Sequence, residues 1–199
     1  VLALQGAYAL HCEAGAECGV LARPVREAAE LDGCDALVLP GGESTTIAKL
    51  LRSSGLREPV VARLGDGMPM LGTCAGMILA ARRIEHPGPN DDDPLGVVDM
   101  TVRRNAFGRQ LESFEADLDI AGVAGGDDGP PFRAVFIRAP VVTDHGADVE
   151  VLCWQNGEAV MARQGNVVVC AFHPELTPDR RVHQFFVRSV PPRRNEVIA

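Results

Sequence analysis

Along the first half of the chain, short apolar runs alternate with amphipathic stretches. VLAL (1–4), ALVLP (36–40) and MPML (68–71) are runs of strand length. Between the first two, residues 8–18 read as a helix closed by Gly19. A second helix follows Pro40-Gly41-Gly42, with Ser44 as its cap and Ile47, Leu50 and Leu51 on one face at i, i+3 and i+4. Residues 56–66 supply a third, and MILAARR (77–83) a fourth, after the turn at Gly72. Strands separated by helices predict a parallel sheet covered on both faces.

The second half has a different rhythm. HPGPNDDDP (86–94) and AGVAGGDDGPP (121–131) are polar, turn-rich loops. Candidate strands follow one another closely at 97–103, 111–119, 132–138, 149–154, 158–163 and 166–172, which predicts antiparallel additions to the sheet. A last helix has Thr177 as its N-cap, Pro178 at the first helical position and Asp179 at the positive end of the dipole. Val182, Phe185 and Phe186 form its buried stripe. At roughly 150 residues per domain, 199 residues predict one domain, here 1–190, with PPRRNEVIA (191–199) as a C-terminal tail.

Composition narrows the partners. Nineteen basic against 27 acidic residues give a net charge of −8, so neither nucleic acid nor an anionic membrane surface is expected as a partner. No apolar run is long enough to span a bilayer. VLALQG has no basic stretch, and reads as a first strand whose opening residues lie before Val1 rather than as a signal peptide. The six cysteines form no CxxC pair and the histidines are scattered, so no zinc site is expected. Reduced thiols and a cytoplasmic location follow.

The sharpest chemical signal is GTCAG (72–76), between a strand and a helix. Such a turn pushes one side chain out at the top of a sheet and needs small neighbours. Gly72, Ala75 and Gly76 meet that demand around Cys74. The helix N-terminus favours a thiolate, and the Ala75 N–H points where an oxyanion would develop. A thiolate nucleophile needs a base, and the base an orienter. FHPEL (172–176) offers His173 and Glu175 two residues apart at a strand end, on one side of an extended chain. PGGEST (40–45) adds unobstructed glycine amides as a second source of oxyanion donors, Gly42 among them. The spacings of a Walker loop and of GxGxxG are both absent. Arg103, Arg104 and Arg138 are basic groups in an acidic chain; one of the Arg103-Arg104 pair is a candidate grip on a substrate carboxylate, the alternative being a solvated face.

Together these residues resemble the triad glutaminases of the class I glutamine amidotransferase family, whose Cys–His–Glu order is the order found here. LALQGA (2–7), LPGGEST (39–45), GTCAGMI (72–78), RRNAFGRQ (103–110), SFEADL (113–118), FIRAP (136–140) and FHPELT (172–177) narrow the resemblance. They look like the subfamily of glutaminase subunits that serve pyridoxal 5′-phosphate synthase. The resemblance implies a flavodoxin-like, three-layer α/β/α sandwich with a mostly parallel central sheet and antiparallel additions. It implies Cys74 as nucleophile, His173 as general base and acid, and Glu175 as orienter. It places Gly42, Glu43, Ser44, Arg104, Ile137 and Arg138 at bound L-glutamine, with Gly42 and Ala75 as oxyanion donors. HCEAGAECG (11–19) departs from the plainer helix expected, and Ala14-Gly15 weakens it.

The implied reaction converts glutamine to glutamate and ammonia and needs no metal or organic cofactor. Free ammonia is protonated in neutral water, and ammonium is not a nucleophile. One α/β domain leaves no room for a second active site. A partner must therefore receive the ammonia, and the resemblance names a synthase subunit of barrel fold in a hetero-oligomer, on which full glutaminase activity depends. The triad motifs alone also fit other amidotransferases. A cysteine peptidase or deglycase-like protein of related fold shares the elbow, but HxE at 173–175 and the second-half motifs argue against it. An intact Cys74, His173 and Glu175 argue against a non-catalytic interaction protein.

Overall fold

The computed structural model describes residues 1–87, 93–107, 113–123 and 129–191. Its helices are α1 (Tyr8–Glu17), α2 (Ala28–Leu31), α3 (Ser44–Ser53), α4 (Arg57–Gly65), α5 (Ala75–Ala80) and α6 (Arg181–Ser189). Its strands are β1 (Leu37–Leu39), β2 (Met70–Thr73), β3 (Ala81–Ile84), β4 (Val98–Arg103), β5 (Ser113–Leu118), β6 (Phe132–Ile137), β7 (Val141–His145), β8 (Glu150–Gln155), β9 (Glu158–Gln164) and β10 (Val167–Cys170). The main sheet runs β1-β2-β10-β9-β7-β4-β3, with β8 on β9, and helices flank it in the flavodoxin-like arrangement.

Strand β2 lies between β1 and β10, parallel to both, in the register Leu39↔Gly72 and Cys170↔Thr73. All four residues of β2 and of β10 are buried, as the continuous apolar runs of a covered parallel sheet require. VLAL contributes a single bridge rather than a strand: Leu2 N–H donates to Val38 O and Ala3 N–H to Val25 O, extending the parallel side. Beyond β10 the pairings β10–β9, β9–β7, β7–β4 and β8–β9 are antiparallel, a larger share than the sequence suggests. Strand β7 was not expected: VVTDH has only two apolar residues, and its pairing with β4 decides it.

Three helix boundaries differ from expectation. MILAARR is not all helix; α5 ends at Ala80 and Ala81 opens β3, paired parallel with β4. Strand pairing overrides the helix propensity of Ala81-Arg82-Arg83. At α3 the cap is Glu43 rather than Ser44, its carboxylate accepting from Thr45 N–H (3.2 Å) and Thr46 N–H (2.7 Å). Helix α6 starts at Arg181. Thr177 is extended and its hydroxyl is 3.4 Å from Pro174 O, while Asp179 Oδ1 accepts from Arg181 N–H at 3.0 Å. Of the expected stripe, Val182 and Phe186 are buried and Phe185 is partly so.

Gly15, the weak point expected in α1, has a steric reason: a Cβ there would sit 2.7 Å from Ala22 Cβ. The hairpin β5–β6 forms a separate two-stranded sheet. Phe114 and Phe136 stack on it at 4.6 Å, with Phe107 at 4.9 Å from Phe114 and Phe172 at 5.7 Å from Phe136. RNAFGRQ, SFEADL, FIRAP and FHPEL thus meet in one aromatic cluster; residues 108–110 of the first segment, and 111–112 of the strand expected over 111–119, lie outside the described residues, as does most of the tail. The cluster packs directly behind position 173.

Candidate active site

Three adjacent parallel strands end on one edge. β1 runs into Gly41-Gly42, β2 into Cys74, and β10 into Phe172-His173. The carboxyl ends of parallel strands are where open α/β sheets place ligands. Cys74 sits at φ 48° and ψ −101°, in the left-handed region that costs a non-glycine residue about 1–3 kcal/mol. The glycines around it are required. A Cβ on Gly76 would lie 2.1 Å from Leu39 O, and one on Gly72 would lie 2.9 Å from Gly76 C and O. Cys74 N–H donates to Cys170 O at 2.8 Å, which locks the elbow to β10. The sulfur stands 3.9 Å from Ile137 O.

His173 Nδ1 is 2.7 Å from Glu175 Oε1, and the ring and the Cys74 side chain both border Gly41. The pairing is the expected one, but not through an extended chain. Glu175 lies in a 3-10 turn, Pro174–Leu176, which folds its carboxylate back under the imidazole. Main-chain support comes from β6, where Val135 O accepts from His173 N–H at 2.8 Å. Burial would lower the His173 pKa; hydrogen bonds and charge from Cys74 and Glu175 outweigh it and raise it to about 10. Burial would raise Glu175, but His173 and the neighbouring His11 hold it below the ordinary carboxylate range.

The remaining expected residues are placed as follows. Gly41 N–H donates to Thr73 Oγ1 at 3.0 Å, and Gly41 O accepts from Ala7 N–H at 3.2 Å, so Gly42 is the glycine amide left to serve an oxyanion. Ala75 opens α5, where first-turn N–H groups have no partner within the helix. Ser44 is buried at the start of α3. Glu43 is different from expectation: its carboxylate also accepts from the Thr45 and Thr46 hydroxyls, each at 2.5 Å. Burial would raise its pKa, but these bonds lower it to about 2, and they hold the side chain at the helix cap. Arg104 lies in the turn after β4 and Arg138, at φ 45°, in the turn after β6. The bond Ala106 N–H to Ala139 O (3.0 Å) ties those two turns together beside Ile137 and Cys74. Arg103 is instead paired with Glu158 at 2.7 Å.

Two residues escaped the sequence reading. His11 and His183 are buried behind Glu175, with His11 Nδ1 3.0 Å from His183 Nε2 and His11 Nε2 3.3 Å from Glu175 Oε2. A polar residue on each buried helix stripe, His11 beside Ala14 and Gly15 and His183 beside Val182 and Phe186, is the signal that could have found them. Burial pushes both down to about 4. Unfolded histidines take up protons below about 6.5, whereas these do so only near 4. Stability present above pH 6.5 is therefore lost as pH falls toward 4, by on the order of 3 kcal/mol for each histidine. Urea midpoints at pH 7 and pH 4.5 measure it, and equal midpoints would contradict it.

Among the described residues no group of three or more His, Cys, Asp or Glu could hold a metal ion, and no helix is long and apolar enough to cross a membrane. A thiol on an elbow, an imidazole and a carboxylate at adjoining strand ends have the form of a triad amidotransferase. Residues 1–191 match the SNO glutamine amidotransferase family, and the chain belongs to that family. It is 55% identical over 195 residues to the pyridoxal 5′-phosphate synthase subunit PdxT of Acidothermus cellulolyticus, covering 96% of this chain and 92% of that one. It is 54% identical to the protein of the same name from Mycolicibacterium vanbaalenii, covering 96% of each. A crystal structure of a glutamine amidotransferase superimposes with a TM-score of 0.86 at 45% identity, over 95% of this chain and 96% of that one.

Proposed function

We propose that this amidotransferase is the glutaminase subunit of a pyridoxal 5′-phosphate synthase, and that Cys74, His173 and Glu175 are its triad. One observation carries the assignment of residues: the elbow thiol and an imidazole whose Nδ1 is held 2.7 Å from a buried carboxylate meet at adjoining strand ends, both bordering Gly41. The Cys74 thiolate attacks the side-chain carbonyl of glutamine, and the oxyanion is held by the Gly42 and Ala75 amides. His173, protonated beside the sulfur, gives its proton to the leaving ammonia. It then takes a proton from water, which cleaves the thioester and frees glutamate. Glu175 keeps Nδ1 protonated and stabilises the imidazolium. Arg104, Arg138 and the Ile137 carbonyl, on the adjoining turns, are the groups assigned to the α-carboxylate and α-amine of glutamine.

Ammonia made here is useful only where it stays unprotonated, so the acceptor site belongs to a synthase subunit docked over this edge. A barrel fold for that subunit, a hetero-oligomer and a cytoplasmic setting complete the proposal; six free thiols are consistent with that setting. The purified chain should release glutamate slowly from glutamine and faster once the synthase subunit is added. Gly41-Gly42 is the control point, since glycine peptides reorient at low steric cost and docking selects the donor-in state. Steady-state rates with and without the partner test this: equal turnover would refute activation, and no glutamate in either case would refute the glutaminase reading.

A further inference from the structure

The triad does not end at Glu175. Its Oε1 serves His173, but its Oε2 is buried and has no hydrogen-bond partner among the described residues. The nearest cationic or donor nitrogen is His11 Nε2, at 3.3 Å. That nitrogen is also 3.2 Å from Thr73 Oγ1, and His11 Nδ1 is 3.0 Å from His183 Nε2. A second buried atom, His183 Nδ1, has no partner either.

Two tautomer arrangements satisfy the His11–His183 contact, and the two orphan atoms choose between them. If His11 donated from Nδ1, its Nε2 lone pair would face the Glu175 carboxylate, and His183 would bury an unpaired N–H at Nδ1. If His183 donates from Nε2 instead, His11 must carry its proton on Nε2, the nitrogen that lies 3.2 Å from Thr73 Oγ1 and 3.3 Å from Glu175 Oε2. The atom left without a partner is then a bare His183 Nδ1 lone pair, which is cheaper to bury than an N–H. The second arrangement sets a donor nitrogen, rather than a lone pair, 3.3 Å from the carboxylate and leaves only the cheaper orphan.

From this geometry we infer that His11 is a positioning residue for the triad, donating from Nε2 to the second oxygen of Glu175, with His183 fixing its tautomer. The line runs from His183 on α6, through His11 on α1 and Glu175, to His173 and Cys74. Both histidines remain neutral well below pH 7, so they supply a hydrogen bond without a competing positive charge. The other groups facing this line are Cys170 beside Glu175 and Cys74, and Arg180 with Glu17 at its outer end. Arg180 is occupied by Glu17, at 2.7 Å and 3.2 Å. Thr73, which holds Gly41 N–H, touches the same His11 nitrogen, so the donor also borders the oxyanion loop.

The inference rests on the triad reading above, and its test separates the two. Hydrogen bonds behind a reactive group are typically worth about 10–100-fold, so His11→Leu and His183→Leu should lower kcat by that factor with KM for glutamine unchanged. Losing a donor to the anionic triad favours its proton-bound form. The pH profile of iodoacetamide alkylation at Cys74 should therefore differ between His11→Leu and wild type. His11→Gln, whose amide reaches the Nε2 position, should recover most of kcat. His11→Asn, whose amide reaches only the Nδ1 position, should not. If the leucine variants do not fold, the Gln and Asn variants decide. Equal kcat in those two, an unshifted alkylation profile, or a change confined to KM would overturn the inference. Wild-type glutaminase activity lost in Cys74→Ala keeps the triad reading standing whichever way the histidine variants fall. The alkylation profile tests His11 even if the chain alone proves inactive on glutamine.

Discussion

Replacing Cys74 with alanine removes glutamate release, by about four decades or more, while the chain keeps its fold and its binding to the synthase subunit. A triad nucleophile acts as a unit with its base, so its loss costs nearly everything the triad supplies. Alanine keeps the Cβ that the elbow already holds at φ 48°, and it adds no bulk against Cys170 O or Ile137 O. A thermal melt and a pull-down with the partner, run beside the glutaminase assay, separate loss of chemistry from loss of structure. Appreciable residual turnover, or an unfolded variant, would count against the assignment. Cys12, Cys18, Cys34 and Cys153 supply the contrast. Burial pushes Cys153 up to about 11, where it is an inert thiol, and none of the four touches the triad, so alanine at each leaves turnover near wild type.

Gly41→Ala should come second in effect. A methyl there would stand 2.5 Å from His173 Cε1, 3.0 Å from His173 Nδ1 and 3.4 Å from Cys74 Cβ. The main chain cannot retreat without breaking the bonds to Thr73 Oγ1 and Ala7 N–H, so the imidazole must swing off the line to Glu175. A displacement of about 1 Å in a catalytic group costs on the order of 10²-fold in rate. We expect kcat to fall by that factor, with a melting temperature close to wild type and no rescue by the synthase subunit. Normal turnover would show that the ring moves freely and that Gly41 is not a wall of the site. The measurement is glutamate release with and without partner, beside a calorimetric melt.

Local chemistry was legible without a structure wherever a few adjacent residues impose it. GTCAG is such a case: the steric demand for Gly72 and Gly76 is written into the five residues, even though the atoms they avoid, Leu39 O among them, come from elsewhere. HPE is another, because His173 and Glu175 lie too close in the chain to part, whether the backbone is extended or turned as it is here. Where several neighbours competed for one role, the reading slipped. Ser44 was the expected cap of α3, yet a carboxylate one residue earlier reaches two amides and two hydroxyls at once. Ala81-Arg82-Arg83 had the propensity of a helix, and only the vacant edge beside β4 turned it into a strand.

The sequence by itself determined the class of chemistry: a thiol on a tight turn, a base with its orienter, and a chain pattern that forms a sheet covered by helices. These are legible because each signal is carried by a few adjacent residues, even where the atoms they meet, such as Leu39 O against Gly76, come from another strand. Only the tertiary structure decided that β2 lies between β1 and β10, in the register that brings Thr73 beside Cys170 and so Cys74 beside His173. It alone joined His11 to His183 across 172 positions of sequence, behind a carboxylate oxygen that neither neighbourhood shows to be in need of a donor. Such contacts are set by strand order and helix packing, and the cost of leaving a buried polar atom unmet exists only once the core has closed around it.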